Sequence, residues 1–433
     1  MGNPALSAPA PLRAVRYDPA RVDLGAVLAP PYDVISEAQR EGLYARDPHN
    51  VVRVDFARDE PGDEAGVSDR YTRAAAVLRA WLDAGILIRD PRPALYVADH
   101  EFVAAGGERR TRRGIYVRTP ALPWDEAAVL PHERTLRGPK EDRLRLMRAS
   151  RTQTSAVFSL WDRAPGIDEA LAAATAREPD AEGVTAGEVD SERHRMWVVD
   201  DPAGVAAVLE ALGPSRLYIA DGHHRFETAA TYAAERRAAE PGAGTDADLG
   251  MTLLHLCAAD DPAIEVLPTH RLVRPGPGVP DRVADLLARL DGAFTGEPAA
   301  SLEAAVAAAA AHRDAEHALA VAGADGAFLL LAPRRGGVSP RAALDVTVLQ
   351  EVILERGCGL SADAVAGGAL SYTRDVPQAE ECVAAGSAAL AVCLNGCTTA
   401  EIIAVSDAHE TMPQKSTYFY PKVPTGLVLS PLS

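Results

Sequence analysis

Between Tyr71 and Ile88 apolar residues recur at helical spacing, at Val77, Leu78, Trp81 and Leu82, and the pattern stops near Gly85. A packed amphipathic helix follows from that period. Ala94-Leu95-Tyr96-Val97 and Arg113-Gly114-Ile115-Tyr116-Val117 read as strands joined through Gly106-Gly107, a hairpin or short meander. The runs 154–160, 196–199, 216–220 and 251–258 predict further strands, and a helix is expected from about His224 to Arg237. Residues 281–290 and 302–312 read as helices, the second Ala-rich, which the composition attributes to coding bias more than to a special structure. Helices follow at 344–354 and 378–384, and a buried strand at 388–393. Ser36 with Gln39 three residues on resembles a capping box, which places Asp33 in the turn between a strand and a helix.

The pattern is mixed α and β without a simple repeat, so the expected class is α+β. A chain of 433 residues exceeds the ~250–300 that one core usually serves. We therefore expect an N-terminal mixed-sheet domain over 12–245 and a second α/β domain over 246–433, whose tail would close the site. A Gly/Pro-rich connector is legible at Pro275 to Pro280.

The formal net charge of −17 opposes broad adhesion to nucleic acid or anionic lipid, because both need cationic surface. No apolar run reaches the ~18 residues of a membrane span, and Met1 to Pro11 lacks a basic n-region, so a cytoplasmic protein is expected. The five cysteines are odd in number and confined to the C-terminal half, a poor disulfide framework. Cys393 and Cys397 bracket three residues, which without a second Cys/His pair favours buried thiols over zinc.

Only three of the 44 basic residues are lysine, Lys140, Lys415 and Lys422. Arg and Lys differ where a compact charge is wanted, so each of the three is a candidate site residue. The sharpest string is Leu217 to Ala229, in which an apolar strand runs into Asp221-Gly222-His223-His224-Arg225 and then a helix. The first helical turn has free N–H groups, Gly222 permits close approach, and His223, His224 and Arg225 add donors suited to phosphate. A capped helix start with solvated histidines is the plainer alternative. His132-Glu133-Arg134-Thr135, leading through Gly138-Pro139-Lys140-Glu141-Asp142-Arg143 into a helix, offers a carboxylate and an imidazole for acid–base work and a lysine for charge. It lacks the His-Glu-x-x-His repeat of zinc proteases. In Lys415-Ser416-Thr417-Tyr418-Phe419-Tyr420-Pro421-Lys422, Lys415 and Ser416 suit a phosphate or carboxylate. The rival reading makes Tyr418 to Tyr420 an edge strand. His270 in Leu-Pro-Thr-His-Arg reads as structural.

Pro30-Pro31-Tyr32-Asp33-Val34, His49-Asn50-Val51-Val52-Arg53, His132-Glu133-Arg134-Thr135 with Pro139-Lys140-Glu141-Asp142, Asp221-Gly222-His223-His224-Arg225, Leu267 to Arg271 and Lys415 to Lys422 together resemble a widespread prokaryotic family of unknown function. The strand, Asp-Gly-His-His-Arg and helix also resemble the phosphate-binding segment of the ParB and sulfiredoxin superfamily, which includes nucleotide-binding partition proteins, an ATP-using sulfinate reductase and free-serine kinases. That resemblance implies that Gly222, His223, His224 and Arg225 hold nucleotide phosphates. The loop lacks the cysteine that reductase chemistry requires.

The expected function is therefore a nucleotide-dependent kinase of a small hydroxyl-bearing metabolite, free serine by analogy, using ATP or ADP with Mg²⁺. Glu133 or Asp221 would be the base, with His132 beside it; Lys140 and Arg225 would clamp phosphates, helped by Lys415 and Ser416. Asp33 or Asp142 would place the metal. A metal-dependent phosphodiester hydrolase or nuclease and a non-catalytic nucleotide-binding regulator are the alternatives.

Overall fold

The computed structural model describes residues 9–135, 137–162, 166–213, 215–239 and 248–432. Contacts divide the chain into two compact units: 1–131, 135–265 and 421–433 form the first, 132–134 and 266–420 the second. Against the expected boundary after residue 245, residues 246–265 thus group with the first unit, and the last thirteen return to it.

The first unit is built on an eight-stranded mixed sheet. Its strands in chain order are β1 (Leu95–Val103), β2 (Arg109–Pro120), β3 (Val129–Leu130), β4 (Val157–Trp161), β5 (Ala181–Ala186), β6 (Ser191–Val199), β7 (Leu217–Asp221) and β8 (Met251–Ala258). Across the sheet they run β3-β7-β4-β8-β2-β1-β6-β5. β7 is parallel to β3 and antiparallel to β4, and β4 is parallel to β8; the remaining neighbours are antiparallel. The period-2 alternation of Val97, Ile115, Val117, Leu217, Ile219, Leu254 and Leu256 builds one apolar face, on which helices Ile167–Ala174 and Pro202–Leu212 bury Leu171, Val208 and Leu212. The expected hairpin through Gly106-Gly107 is β1–β2. The helix expected from Tyr71 spans Arg70–Asp83, capped by Asp69 in a capping box with Thr72, with Leu78 and Trp81 buried. Ser36 and Gln39 form the expected capping box.

The second unit carries a six-stranded antiparallel sheet of β9 (His270–Val273), β10 (Thr295–Ala299), β11 (Glu316–Gly323), β12 (Gly326–Pro333), β13 (Leu370–Thr373) and β14 (Leu390–Leu394), in the order β10-β12-β11-β14-β9-β13. The β11–β12 hairpin at its centre has unbroken apolar runs, which periodicity does not separate from buried helix. The alanines of Leu302–His312 have a packing use: Ala305 is fully buried against Ala320, Ala322 and Ala391 of the sheet. The helix expected at 344–354 is an α-turn, Asp345–Val348, that widens into a π-helix over Leu349–Gly357. Cys393 and Cys397 are buried free thiols, and burial pushes both up to about 12. Among the described residues no helix is long and apolar enough to cross a membrane.

Candidate functional site

β7 ends at Asp221, Gly222 turns the chain, and the helix His223–Ala239 begins at once. Gly222 has φ +97°, and a Cβ there would stand 2.8 Å from Arg225 Nε, so the turn requires glycine. The positive, N-terminal end of a 17-residue helix therefore lies beside the end of a buried strand.

Two cations grip Asp221. Lys422 Nζ donates to Oδ1 at 2.7 Å and Arg225 Nη2 to Oδ2, while Arg225 Nη1 donates to the Ala156 carbonyl. Burial alone would raise the Asp221 carboxyl, but Lys422 and Arg225 outweigh it and hold it well below the usual carboxylate range. A carboxylate so stabilised is a weak proton acceptor, and its evident work is to anchor two cations. Burial lowers His224, opposed by Asp33 and Glu227, with Lys140 and Arg225 adding to the lowering. That half-buried imidazole thus lies in the field of residues from three separate strings. Glu227, which the sequence reading passed over, accepts from Lys140 Nζ at 2.7 Å and from the Thr135 hydroxyl.

Behind the loop, Arg143 lies over the Tyr32 ring with its guanidinium carbon 3.9 Å from the centroid. Burial pushes the Tyr32 phenol up to about 12 against the pull of Arg143. Arg143 also donates to Asp55, whose Oδ1 accepts from Thr154 at 2.6 Å and Ser155 at 2.8 Å. Asp55, Arg143, Thr154, Ser155, Arg225 and Thr228 are among the residues lining a cavity of about 30 Å³, and Asp55 Oδ2 has no hydrogen-bond partner. Asp55, Arg143 and Ser155 were absent from the expected site. Asp55 lies two residues past the quoted His49–Arg53 string, and the rarity of lysine was the signal for Lys422.

The remaining expected residues divide as follows. Asp33 is exposed in a short 3₁₀ turn and acts electrostatically on Arg225, His224 and Tyr32. His223 is buried beside Asp221. Asp142 accepts from Arg70 at 2.6 Å, from the Tyr71 hydroxyl at 2.9 Å and from Arg143, so a metal there would have to break one of these bonds. His132, Glu133, Lys415 and Ser416 belong to the second unit. There His132 Nε2 is 3.1 Å from the Thr417 hydroxyl, and Glu133 acts electrostatically on the buried Arg271. Ser416 is buried and donates to the Pro413 carbonyl, while Lys415 is exposed with φ +60°. Tyr418–Tyr420 is a strand with Phe419 and Tyr420 buried, and His270 is a buried strand residue.

Three solved structures are similar in outline. A conserved hypothetical protein from Pyrococcus furiosus has 14% identity over 73% of this chain and 95% of its own, at a TM-score of 0.35. A free serine kinase in complex with AMP has 15% identity over 72% of this chain and 92% of its own, at 0.35. SbnI with a C-terminal truncation, from Staphylococcus aureus, has 12% identity over 73% and 87%, at 0.36. Superpositions this loose assign no activity. No curated protein matches the sequence. A family model described as protein of unknown function (DUF1015) matches residues 10–347, taking in all of the expected motif strings but the last. The chain belongs to the DUF1015 family.

Proposed function

We propose that the Asp221–Arg225 loop binds the phosphates of ATP or ADP, and that the protein transfers a phosphoryl group to a small hydroxyl-bearing metabolite, with free serine the first acceptor to test. One observation carries this reading: in the first unit Asp33, Lys140, Asp221–Arg225 and Lys422, far apart in sequence, gather at the N-terminal end of one helix. Phosphoryl transfer is mostly positioning and charge stabilisation, so a helix terminus flanked by cations is what it asks of a protein. Lys140 and Lys422 are each held by a carboxylate, Glu227 and Asp221, which keeps them in place for a phosphate to share. His224, neutral because burial lowers it, would donate to a phosphate oxygen without adding charge.

Mg²⁺ usually takes one or two carboxylates and keeps phosphates and waters for the rest, and exposed Asp33 beside Arg225 and His224 fits that role better than Asp142. When bound, the ion would neutralise charge developing between the phosphates. Of the two bases expected from the sequence, Glu133 and Asp221, Asp221 has a low proton affinity and serves better as the anchor of Lys422 and Arg225.

The test is calorimetry and thermal shift with ATP and ADP plus Mg²⁺ on wild type, His224→Ala and Lys140→Met, followed by acceptor-dependent turnover with serine. A nucleotide at ~100 times its dissociation constant should stabilise the fold by ~2.7 kcal/mol, and the variants should lose most of that. No nucleotide binding by wild type would overturn the proposal. Binding without turnover would leave a regulator, and acceptor-independent phosphodiester cleavage a hydrolase. Serine phosphorylation that survives both Glu133→Gln and Asp221→Asn would remove the base assignment.

A further inference from the structure

A second polar cluster lies inside the first unit, on strands that none of the expected motifs use. In the antiparallel register of β1 and β6, His100 stands directly opposite His194. Glu192 precedes His194 by two residues and so points to the same face of β6. One ligand atom from each of His100, Glu192 and His194 lies within 4.8 Å of the others. Both histidines are buried, at 5% and 1% exposure. His194 Nε2 is 2.8 Å from the Thr185 hydroxyl, while its Nδ1 is buried with no hydrogen-bond partner. The same is true of the Tyr116 hydroxyl. His100, His194, Tyr116, Arg112 and His255 line one cavity of about 10 Å³, close to the size of a water or an ion. Two orphaned polar atoms on so small a cavity call for a polar occupant.

We infer that His100, Glu192 and His194 form a buried site for a transition-metal dication of the Zn²⁺ class. Two imidazoles and a carboxylate are a common zinc and iron(II) ligand set, and tetrahedral coordination leaves one position for a water that the Tyr116 hydroxyl could hold. Thr185 is the outer partner that a metal-bound imidazole usually has on its second nitrogen. His100 Nε2 and Glu192 Oε2 are 2.7 Å apart, and the ion takes the place of the proton between them. His100 then carries its N–H on Nδ1, so the 3.3 Å approach of Arg112 Nη2 must lengthen; that guanidinium also donates to the Pro421 carbonyl at 2.9 Å. A resident guanidinium penalises any second cation, which selects for ions that imidazole holds tightly and against Mg²⁺. The site is separate from the Asp221–Arg225 loop and stands or falls independently of the kinase reading.

The experiment titrates metal-free full-length protein with Co²⁺, read by its visible absorption, and with Zn²⁺ by competition. Wild type should take up one ion with the absorption of a four-coordinate centre. Glu192→Gln and His194→Ala should bind about 100-fold more weakly or worse, and Thr185→Val about 10-fold more weakly, since even outer partners are worth 10–100-fold. Metal-free melting curves identify variants that fold, and if His194→Ala does not, Glu192→Gln and Thr185→Val carry the test. No uptake by wild type overturns the site. So does wild-type affinity retained in the folded variants.

Discussion

At the scale of a single residue, Asp221 ties a local turn to a distant part of the chain. Its place after an apolar strand and before Gly-His-His-Arg marked it, but its contacts come from Arg225 one turn on and from Lys422, 201 residues away. Its folded pKa is depressed, so its contribution to stability is complete above the unfolded carboxyl value of ~3.9 and is lost as pH falls through the folded one. Replacing it with Asn leaves the buried Arg225 and the partly buried Lys422 without this counter-charge, and breaking a buried pair typically costs about 3–5 kcal/mol. Urea denaturation should show that deficit unchanged between pH 5 and 8 and shrinking below about pH 4. A deficit that instead varies through the neutral range would mean that another group, such as a histidine, controls the pair.

At the scale of elements, local rules account for the capped helices, and the return of the C-terminal segment escapes them. Helix Arg70–Asp83 follows from its apolar stripe and the Asp69 cap, both contained in fifteen consecutive residues. By contrast, Leu429 exchanges backbone hydrogen bonds with Val15 at 3.0 and 2.9 Å, Thr425 pairs with Ala29, and Ser430–Pro431 pairs with Thr152–Gln153. These partners lie hundreds of residues upstream, and no periodicity encodes them. Leu429 is 1% exposed, so Leu429→Ala should destabilise the first unit by about 2–5 kcal/mol in equilibrium unfolding. It should also weaken whatever ligand Lys422 serves, because the same segment holds that lysine on Asp221. A loss below about 0.5 kcal/mol would show that the segment is loosely attached.

For the whole molecule, two units with separate cores are expected to unfold in more than one step, since two-state behaviour is a property of single small domains. Scanning calorimetry should resolve two transitions, and ATP with Mg²⁺ should raise only the one belonging to the first unit. A single transition with equal calorimetric and van't Hoff enthalpies would contradict this.

The mixed α/β class, the β1–β2 hairpin, the capping box of Ser36 with Gln39 and the strand–Gly–helix of Asp221 to Arg225 were all legible in the sequence, because each depends on periodicity or turn chemistry within a short window. Lysine rarity marked Lys422 without saying what it touches. The partners of Asp221, the stacking of Arg143 on Tyr32 and the meeting of His100 with His194 were decided by the tertiary structure alone. Charge pairing and strand register join residues through space, and a linear sequence carries no direct record of which distant positions the sheet will bring together.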